Sequence, residues 1–327
     1  MAQSAYGDIS PRTAAYAAKK LLKRGLPYLV LEKFGQAQTL PAHNSKVIKF
    51  RRYTALPTTP VALTEGVTPV GQTLQATDVT ATLQQYGDKT TITDVVLDTH
   101  EDPVMNEAVN LLGEQAAQMV EKMRFGVLKA GTNVLYSNGA ARNAVNSPIS
   151  LQVQQRAVRT LKRQNARPIT EIVASSARYE TANVAPGFVG LIHPDLEADV
   201  RAMTGFVAAE RYGTMTPWEN ELGKVNDCRY VTSTIFEPWA DAGAAKGLML
   251  STSNTLADVY PVLFLGRDAY GICALKGQYA VFPMIVSPKP SDSDPLAQRG
   301  HASFKTMQTC VILNDNFMVR AEVCATA

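Results

Sequence analysis

The sequence predicts an α+β fold in which β-strands near both ends of the chain enclose a long central helix. Apolar residues recur every three or four positions along 103–136, which is the spacing of one helix face. Segments 46–53 and 79–83 near the start, and 304–313 and 317–323 at the end, have the alternation or β-branched content of strands. Short strands and helical turns between the helix and the closing strands indicate an additional α/β region.

The composition limits the classes of protein to which the 327-residue chain can belong. Hydrophobic residues make up 46% and charged residues 19%, as in soluble globular proteins, and the length suggests about two domains. No apolar run approaches the roughly 18 residues of a membrane span. The N-terminus lacks a basic cluster followed by an apolar core, so we expect no secretory signal and folding in a cytoplasm. The net charge of +3 is too small to indicate a dedicated nucleic-acid binder.

Residues 1–45 have the composition of an arm. Residues 13–23 have helical character, and bases outnumber acids around them. Because the segment contains little apolar surface, we expect it to become ordered on a neighbouring copy of the chain. Carboxylates of that copy are favoured as partners over DNA phosphates, and a solvated helix face is the alternative. The basic residues assigned to this contact are Arg12, Lys19, Lys20, Lys23 and Arg24.

Residues 56–78 predict an extended loop. The segment is rich in Pro, Gly and Thr, and Glu65 is its one charged residue before Asp78. A loop of about twenty residues without a helix is unusual inside a compact domain. An uncharged loop can lie on another subunit without desolvating ions. We therefore expect it to project from the body and to contact an adjacent copy, with Pro60, Glu65 and Pro69 among the contact residues.

The segment 103–136 predicts one nearly continuous helix. Asp102 can cap it and Pro103 can occupy its first position. About 35 residues at 1.5 Å rise give a length of roughly 50 Å, far above the usual helix of about 12 residues. The apolar stripe lacks flanking charge pairs, which argues against a coiled coil. The pattern favours a helix that lies along an extended domain.

A second helix is predicted over 150–165, with Ser150 as its cap and Pro168 beyond its end. One side is apolar. The other side is basic and includes Arg156 and Arg159, which we assign to a solvated or intersubunit surface, with phosphate contact as the lesser alternative.

The chemistry-bearing residues do not form a recognisable catalytic or cofactor motif. The four cysteines are far apart and form no CxxC pair, so we expect buried thiols and no metal site. Neither a phosphate-binding loop nor a dinucleotide fingerprint is present in the sequence. We read 193–195, His-Pro-Asp, as a turn from a strand into a helix, and not as the co-chaperone signature, which lies between two helices. We therefore predict no catalytic residues and no cofactor.

The order of elements resembles the Hong Kong 97-type capsid fold of tailed bacteriophages, and four stretches resemble the major capsid family of N-four-type phages. The stretches are 190–195 (GLIHPD), 221–225 (ELGKV), 264–271 (FLGRDAYG) and 294–300 (DPLAQRG). The resemblance covers nearly the whole chain. It implies five parts: an N-terminal arm (1–45), an E-loop with flanking strands (46–98), a P-domain with a long spine helix (99–168), an A-domain (169–259) and return strands that complete the P-domain (260–327).

The resemblance implies a major capsid protein of the virion that self-assembles, in the bacterial host cytoplasm, as hexamers and pentamers into an icosahedral head shell. Its implied partners are a portal, a possible cement protein and packaged double-stranded DNA on the inner face, with no membrane. The chain departs from the type member of the fold because its arm is short, so a separate scaffolding protein is implied. No Lys lies between Lys49 and Lys89, so the type member's crosslink is not carried over.

Two other classes remain open. A tail or decoration protein would have a helix of roughly 10–15 residues, near the usual length, after Pro103. An α/β cysteine hydrolase would place Cys228 or Cys273 beside His193.

Overall fold

The computed structural model describes residues 29–41, 43, 45–63, 65–68, 71–99, 104–173, 181–213, 216–276, 281–290 and 294–327. The helices are α1 (Asp94–Thr99), α2 (Val104–Leu128), α3 (Leu151–Arg163) and α4 (Glu197–Arg201). The strands are β1 (Gln36–Pro41), β2 (Val47–Tyr53), β3 (Ala76–Thr82), β4 (Gln84–Thr93), β5 (Val134–Tyr136), β6 (Ile169–Val173), β7 (Thr181–Ile192), β8 (Phe206–Ala208), β9 (Glu221–Val225), β10 (Cys228–Thr232), β11 (Tyr260–Leu265), β12 (Tyr270–Lys276), β13 (Val281–Val286), β14 (Arg299–Ile312) and β15 (Met318–Val323). These elements confirm the predicted α+β class.

A five-stranded sheet is organised by β14, a strand of 14 residues. The hydrogen-bonded order is β1-β12-β14-β13, and β4 also pairs with β14 in an antiparallel register. Helix α2 lies on this sheet, where Val109, Leu112 and Ala116 pack against Ala302 and Phe304. Alternate residues along β14 are buried, because successive side chains of a strand point to opposite faces and one face lies under the helix.

An eight-stranded sheet has an apolar core on each of its faces. Its order is β5-β15-β11-β7-β10-β9-β8, with β6 paired to β7. Along β11, Tyr260, Val262 and Phe264 enter one core, whereas Leu263 and Leu265 enter the other. A strand that is buried on both sides therefore appears in the sequence as an uninterrupted apolar run. Helix α3 covers the first core, and the C-terminal part of α2 covers the second.

The eight-stranded sheet combines strands from three of the five predicted parts. Strand β5 comes from the part ending at residue 168, strands β6 to β10 from 169–259, and strands β11 and β15 from 260–327. The division of the chain at residues 168 and 259 stays a prediction.

Helix α2 is one continuous helix of 25 residues, shorter than the predicted 103–136. At 1.5 Å per residue it is about 37 Å long instead of roughly 50 Å. The prediction was wrong beyond Leu128, because Gly131 lies against Met318 and the following residues form β5 beside β15. Pairing with a distant strand overrides the local apolar spacing. The helix nevertheless exceeds the roughly 10–15 residues expected of a tail or decoration protein.

Local side-chain hydrogen bonds lie at the start of two helices. The sequence predicts a strand over 90–97, but β4 ends at Thr93 and α1 begins at Asp94, whose carboxylate accepts a hydrogen bond from Val95 N at 2.8 Å. Such a local carboxylate contact competes with strand pairing. Helix α3 has the predicted cap, because the Ser150 hydroxyl accepts a hydrogen bond from Val153 N at 3.4 Å.

The segment 29–41 packs inside its own subunit, so the expectation of an arm without an intramolecular docking site is wrong for these residues. Val30, Leu31 and Phe34 are buried in the core that the two sheets share. Strand β1 then pairs in parallel with β12. The apolar run is short and its partners lie far along the chain, so the sequence gives little sign of this packing. The basic residues Arg12, Lys19, Lys20, Lys23 and Arg24 lie in 1–28, outside the described residues.

A buried carboxylate on α2 holds this N-terminal segment. Glu121 is fully buried, and its Oε1 accepts hydrogen bonds from Val30 N at 3.1 Å and Leu31 N at 2.8 Å. Burial raises the pKa of Glu121 to about 7, although Arg124 and the two N–H groups oppose that rise. Arg124 is also buried, donates to Gln308 Oε1 at 2.8 Å and lies 3.4 Å from a Glu32 oxygen. Two charged side chains thus lie between the helix, the segment and β14.

We predict that Glu121 makes the stability of the subunit depend on pH. Because its pKa is higher in the folded chain than in the unfolded chain, its contribution is fullest below about pH 4.5 and is lost as pH rises to about 7. The free energy of unfolding should fall by up to about 1.4 kcal/mol per pH unit in that window. Glu121→Gln keeps an acceptor oxygen for both N–H groups and should remove this dependence. Urea unfolding of the subunit between pH 4.5 and 8 measures it.

The matched control is Glu107→Gln, which neutralises an exposed carboxylate on the same helix and should keep the slope of the unsubstituted protein. Equal pH slopes for Glu121→Gln and the unsubstituted protein would contradict the assignment.

Candidate functional site

A two-stranded sheet of β2 and β3 carries a long loop at its end. The strands pair from Val47 with Thr82 to Tyr53 with Ala76, and Thr54 N donates to Gln75 O at 2.8 Å. We call residues 54–75 the distal loop. Its described residues are 54–63, 65–68 and 71–75, and all of them are exposed. The predicted extended loop of 56–78 is confirmed for its described residues up to 75, whereas 76–78 belong to β3. Its contact with an adjacent copy stays a prediction.

The distal loop exposes large apolar side chains. Leu63 is 74% exposed and Leu74 is 71% exposed, and Leu56, Val61 and Val67 are exposed as well. Single exposed apolar residues are common, but a group of five on one loop is typical of a surface that binds another protein. Glu65 is the one charge in 54–75, so little desolvation of ions would oppose such binding.

The base of this hairpin is fixed to the five-stranded sheet. Ile48 and Phe50 are buried in a small core with Leu83 and Cys273. Phe50 lies so close to Gly271 that a Cβ added there would be 2.8 Å from the ring. On the exposed side, Arg51 forms two hydrogen bonds with Asp78, at 2.8 and 2.9 Å, and lowers the pKa of that carboxyl group.

A basic face lies on α3, in the other half of the fold. Arg156, Arg159, Lys162 and Arg163 are exposed, whereas Val153, Ala157 and Leu161 are buried against the eight-stranded sheet. Lys162 pairs with Asp227 in the turn between β9 and β10. We call the side chains of Arg156, Arg159, Lys162 and Arg163 the α3 basic face.

The predicted contact residues occupy two separate surfaces. Pro60 and Glu65 are exposed on the distal loop, and Pro69 lies outside the described residues. Arg156 and Arg159 share the α3 basic face. The sequence prediction missed the apolar residues of the loop, although their presence in a segment rich in Pro and Gly was a usable signal. It also missed Asp227, which is 65 residues from Lys162 in the chain and has no local signature.

The cysteines and His193 do not form a hydrolase site. Cys228 pairs with Phe188 across β10 and β7, and His193 follows the end of β7, about 16 Å farther along at 3.3 Å per residue. Cys273 belongs to the other sheet. All four thiols are buried, as the sequence predicts, and burial raises the pKa of Cys310 and of Cys324 to about 12. A cysteine nucleophile must ionise more readily than this.

His193 and Asp195 form the predicted turn from a strand into a helix. Asp195 N donates to His193 Nδ1 at 3.3 Å, and the Tyr260 hydroxyl donates to the Asp195 carboxylate at 2.6 Å. Within the part of the chain that the structure describes, no three His, Cys, Asp or Glu side chains cluster as metal ligands would. None of the described helices has the length and apolar character of a membrane span.

Comparison with known proteins identifies the family. A family model described as phage capsid protein matches residues 76–294. The fold is similar to the capsid of Ralstonia phage GP4, with a TM-score of 0.66 and 14% identity over 90% of this chain and 87% of that one. It is also similar to the cyanophage Pam1 capsid, with a TM-score of 0.62 and 14% identity over 100% of this chain and 95% of that one. A chain of the head structure of Helicobacter pylori bacteriophage KHP40 gives a TM-score of 0.63 at 12% identity, over 88% of this chain and 87% of that one.

No curated protein sequence matches the chain significantly. At these low identities the solved structures establish the fold, and the family model, which spans about two thirds of the chain, establishes the family. The chain belongs to the phage capsid protein family, has the Hong Kong 97-like fold, and is a major capsid protein that forms the shell of a phage head.

Proposed function

We propose that copies of this chain associate as hexamers and pentamers into an icosahedral shell that encloses packaged double-stranded DNA, without catalysing a reaction. In this proposal the subunit assembles in the cytoplasm of a bacterial host. A portal and a separate scaffolding protein take part, and a cement protein is a possible addition. The five-part division of the chain, from the N-terminal arm to the return strands, is part of the same proposal.

The observation that carries the proposal is the exposed apolar surface of the distal loop. Burying a large apolar side chain contributes roughly 1.5–3 kcal/mol. Five such residues on this loop of 22 residues are exposed in a single subunit. The free energy of their burial would be gained when a neighbouring molecule covers them. The base of the hairpin is rigid, because Phe50 and Ile48 are buried and Arg51 is paired with Asp78. The hairpin can therefore present its tip to a neighbour without a large loss of conformational entropy.

The two proposed contact surfaces differ in charge: the distal loop has one carboxylate, and the N-terminal segment is basic. When the loop is buried on a neighbour, Glu65 is its one carboxylate that must stay at the solvated edge of the contact or pair with a cation. The residues Arg12, Lys19, Lys20, Lys23 and Arg24 remain proposed contacts from the sequence alone, either with a neighbour's carboxylates or with DNA phosphates.

We predict that Val61→Asp combined with Leu63→Asp abolishes shell formation and leaves the subunit folded. Both positions are exposed in the single subunit, so the substitutions cost little there. In the assembled shell two carboxylates would lose their hydration, at a cost of several kcal/mol per contact. Negative-stain microscopy and size-exclusion chromatography measure assembly, and thermal unfolding of the subunit measures the fold.

The matched control adds two carboxylates elsewhere, through Thr204→Asp and Thr234→Asp, at exposed polar positions beyond the hairpin. This variant should assemble into closed shells. Closed shells in normal yield from the Val61 and Leu63 variant would contradict the proposed role of the loop.

A deletion tests the same role without adding charge. Removing residues 60–72 keeps β2, β3 and the Arg51–Asp78 pair, so we expect a soluble, folded subunit. It should sediment as small oligomers or monomers in analytical ultracentrifugation, because the surface that overlaps a neighbour is gone. Normal particles from this deletion would refute the idea.

A further inference from the structure

The chain contains a long stretch with cations and no carboxylates. Between Glu121 and Glu171 the sequence has nine Lys or Arg residues and no Asp or Glu. The nine are Lys122, Arg124, Lys129, Arg142, Arg156, Arg159, Lys162, Arg163 and Arg167. The net charge of +3 for the whole chain does not reveal this local excess of cations. In the structure, some of these cations are paired inside the subunit and others are exposed.

The first four cations have partners within the subunit. Lys122 pairs with Glu237 at 2.8 Å, and Arg124 is buried beside Glu32 and Gln308. The other two of these four cations lie over the indole ring of Trp239. Lys129 Nζ is 4.1 Å and Arg142 Cζ is 3.6 Å from the centre of that ring. Arg142 also forms an ion pair with Glu322. These contacts are part of the fold.

The cations of the α3 basic face have much less internal compensation. Within the described residues, Arg156, Arg159 and Arg163 have no carboxylate partner, and Lys162 has the exposed Asp227. Arg156, Arg159 and Arg163 follow the i, i+3 and i+7 positions of one helix face, directly opposite the buried face of Ala157 and Leu161. The structure thus places three uncompensated guanidinium groups along about 10 Å of helix.

A groove runs beside this face. It has a volume of about 430 Å³ and lies between α3 and the turn that contains Asn226 and Asp227. The groove is lined by Arg159, Lys162, Arg163 and the amides of Gln154 and Gln155, with Val158 as its apolar side chain. The Gln154 amide is buried, where its Nε2 donates to Val225 O and its Oε1 accepts from the Tyr230 hydroxyl. Apart from Gln154 and Asp227, the polar groups that line the groove can donate hydrogen bonds to an anion.

We propose that the α3 basic face and its groove bind the phosphate backbone of DNA, and that they form the surface of the subunit that faces packaged DNA. The proposal rests on the proposed shell function and names the surface concerned. Guanidinium groups match phosphate oxygens in charge and in their paired N–H geometry. Duplex DNA carries one negative charge per about 1.7 Å of its axis, so several phosphates lie within reach of this face.

The side chains of the α3 basic face favour a nucleic acid over an acidic protein. Protein interfaces depend on buried aromatic or aliphatic anchors. The α3 basic face itself has none, because Ala157 and Leu161 face the eight-stranded sheet, and Val158 is the one apolar side chain that lines the adjoining groove. Binding through phosphates needs no such anchor and carries no sequence preference.

The test uses the full-length subunit and the triple variant Arg156→Gln, Arg159→Gln and Arg163→Gln. Gln is a good helix former at exposed positions, so the fold should persist. The matched control, Lys89→Gln, Arg211→Gln and Lys305→Gln, removes the same charge from exposed positions on other elements. Binding of a labelled duplex of about 30 base pairs and random sequence is followed by fluorescence anisotropy at NaCl concentrations from about 50 to about 200 mM. The affinity of phosphate contacts falls steeply over this range, so the slope of affinity against salt reports how many contacts are made.

The unsubstituted protein and the control should bind the duplex alike and lose roughly 40-fold in affinity across that salt range, as expected for about three phosphate contacts. The triple variant should bind at least about tenfold more weakly at low salt, with a smaller salt dependence. Equal binding by the triple variant and the control would overturn the proposal. Competition by polyglutamate as strong as competition by unlabelled DNA would also overturn it, in favour of an acidic protein partner.

Shell assembly of the same triple variant separates this proposal from the function on which it rests. Closed shells from a variant with weakened DNA binding would support both. Failure of the triple variant to assemble, while the control forms shells, would assign the face to contacts between subunits and overturn the DNA proposal. Failure of the unsubstituted protein to assemble when it is co-expressed with its scaffolding protein would count against the shell function, whereas the anisotropy results would still decide DNA binding.

Discussion

The fold depends on a polar junction that is buried between its two sheets. Glu121 of α2 accepts the backbone N–H groups of Val30 and Leu31, while Arg124, one turn later, reaches Gln308 on β14. Leaving either charged group unpaired at this depth would cost several kcal/mol, so the helix, the N-terminal segment and β14 are held in one arrangement. The surrounding apolar core contains residues of both sheets, including Tyr270, Leu263 and Phe236. This junction makes the two sheets one body.

Separate surfaces of this body differ in their chemical character. The buried base of the β2–β3 hairpin holds a loop whose apolar side chains are exposed in the described part of the subunit. On the eight-stranded sheet, α3 buries one face completely and presents guanidinium groups on the other. The surfaces that are exposed in a single subunit are thus apolar in one region and cationic in another, which suits a shell subunit that meets different neighbours.

The sequence predicted those elements whose signals are local. The Ser150 cap, the turn at His193 and Asp195, and the apolar run of β11 follow from a residue and its near neighbours. The errors arose where a distant segment decides the outcome. Helix α2 ends early because β15 pairs with residues after Gly131, and the segment at Val30 is buried because Glu121, some ninety residues later, accepts its N–H groups. Asp227 was missed for the same reason, because the fold alone brings it to Lys162.

The charge distribution along the chain reconciles two opposed requirements of a shell subunit. Residues 88–121 contain eight carboxylates and one cation, and residues 122–170 contain nine cations and no carboxylate, so the two segments nearly cancel. A low net charge limits the repulsion between identical subunits when many copies are brought together. Exposed local charge is still needed where a subunit meets a polyanion. The structure meets both requirements by neutralising Arg124 and Arg142 internally and by leaving Arg156, Arg159 and Arg163 on one exposed helix face. Because electrostatic attraction in salt solution extends only about 8–10 Å, the position of these three groups, and not the overall charge, determines which surface attracts phosphate.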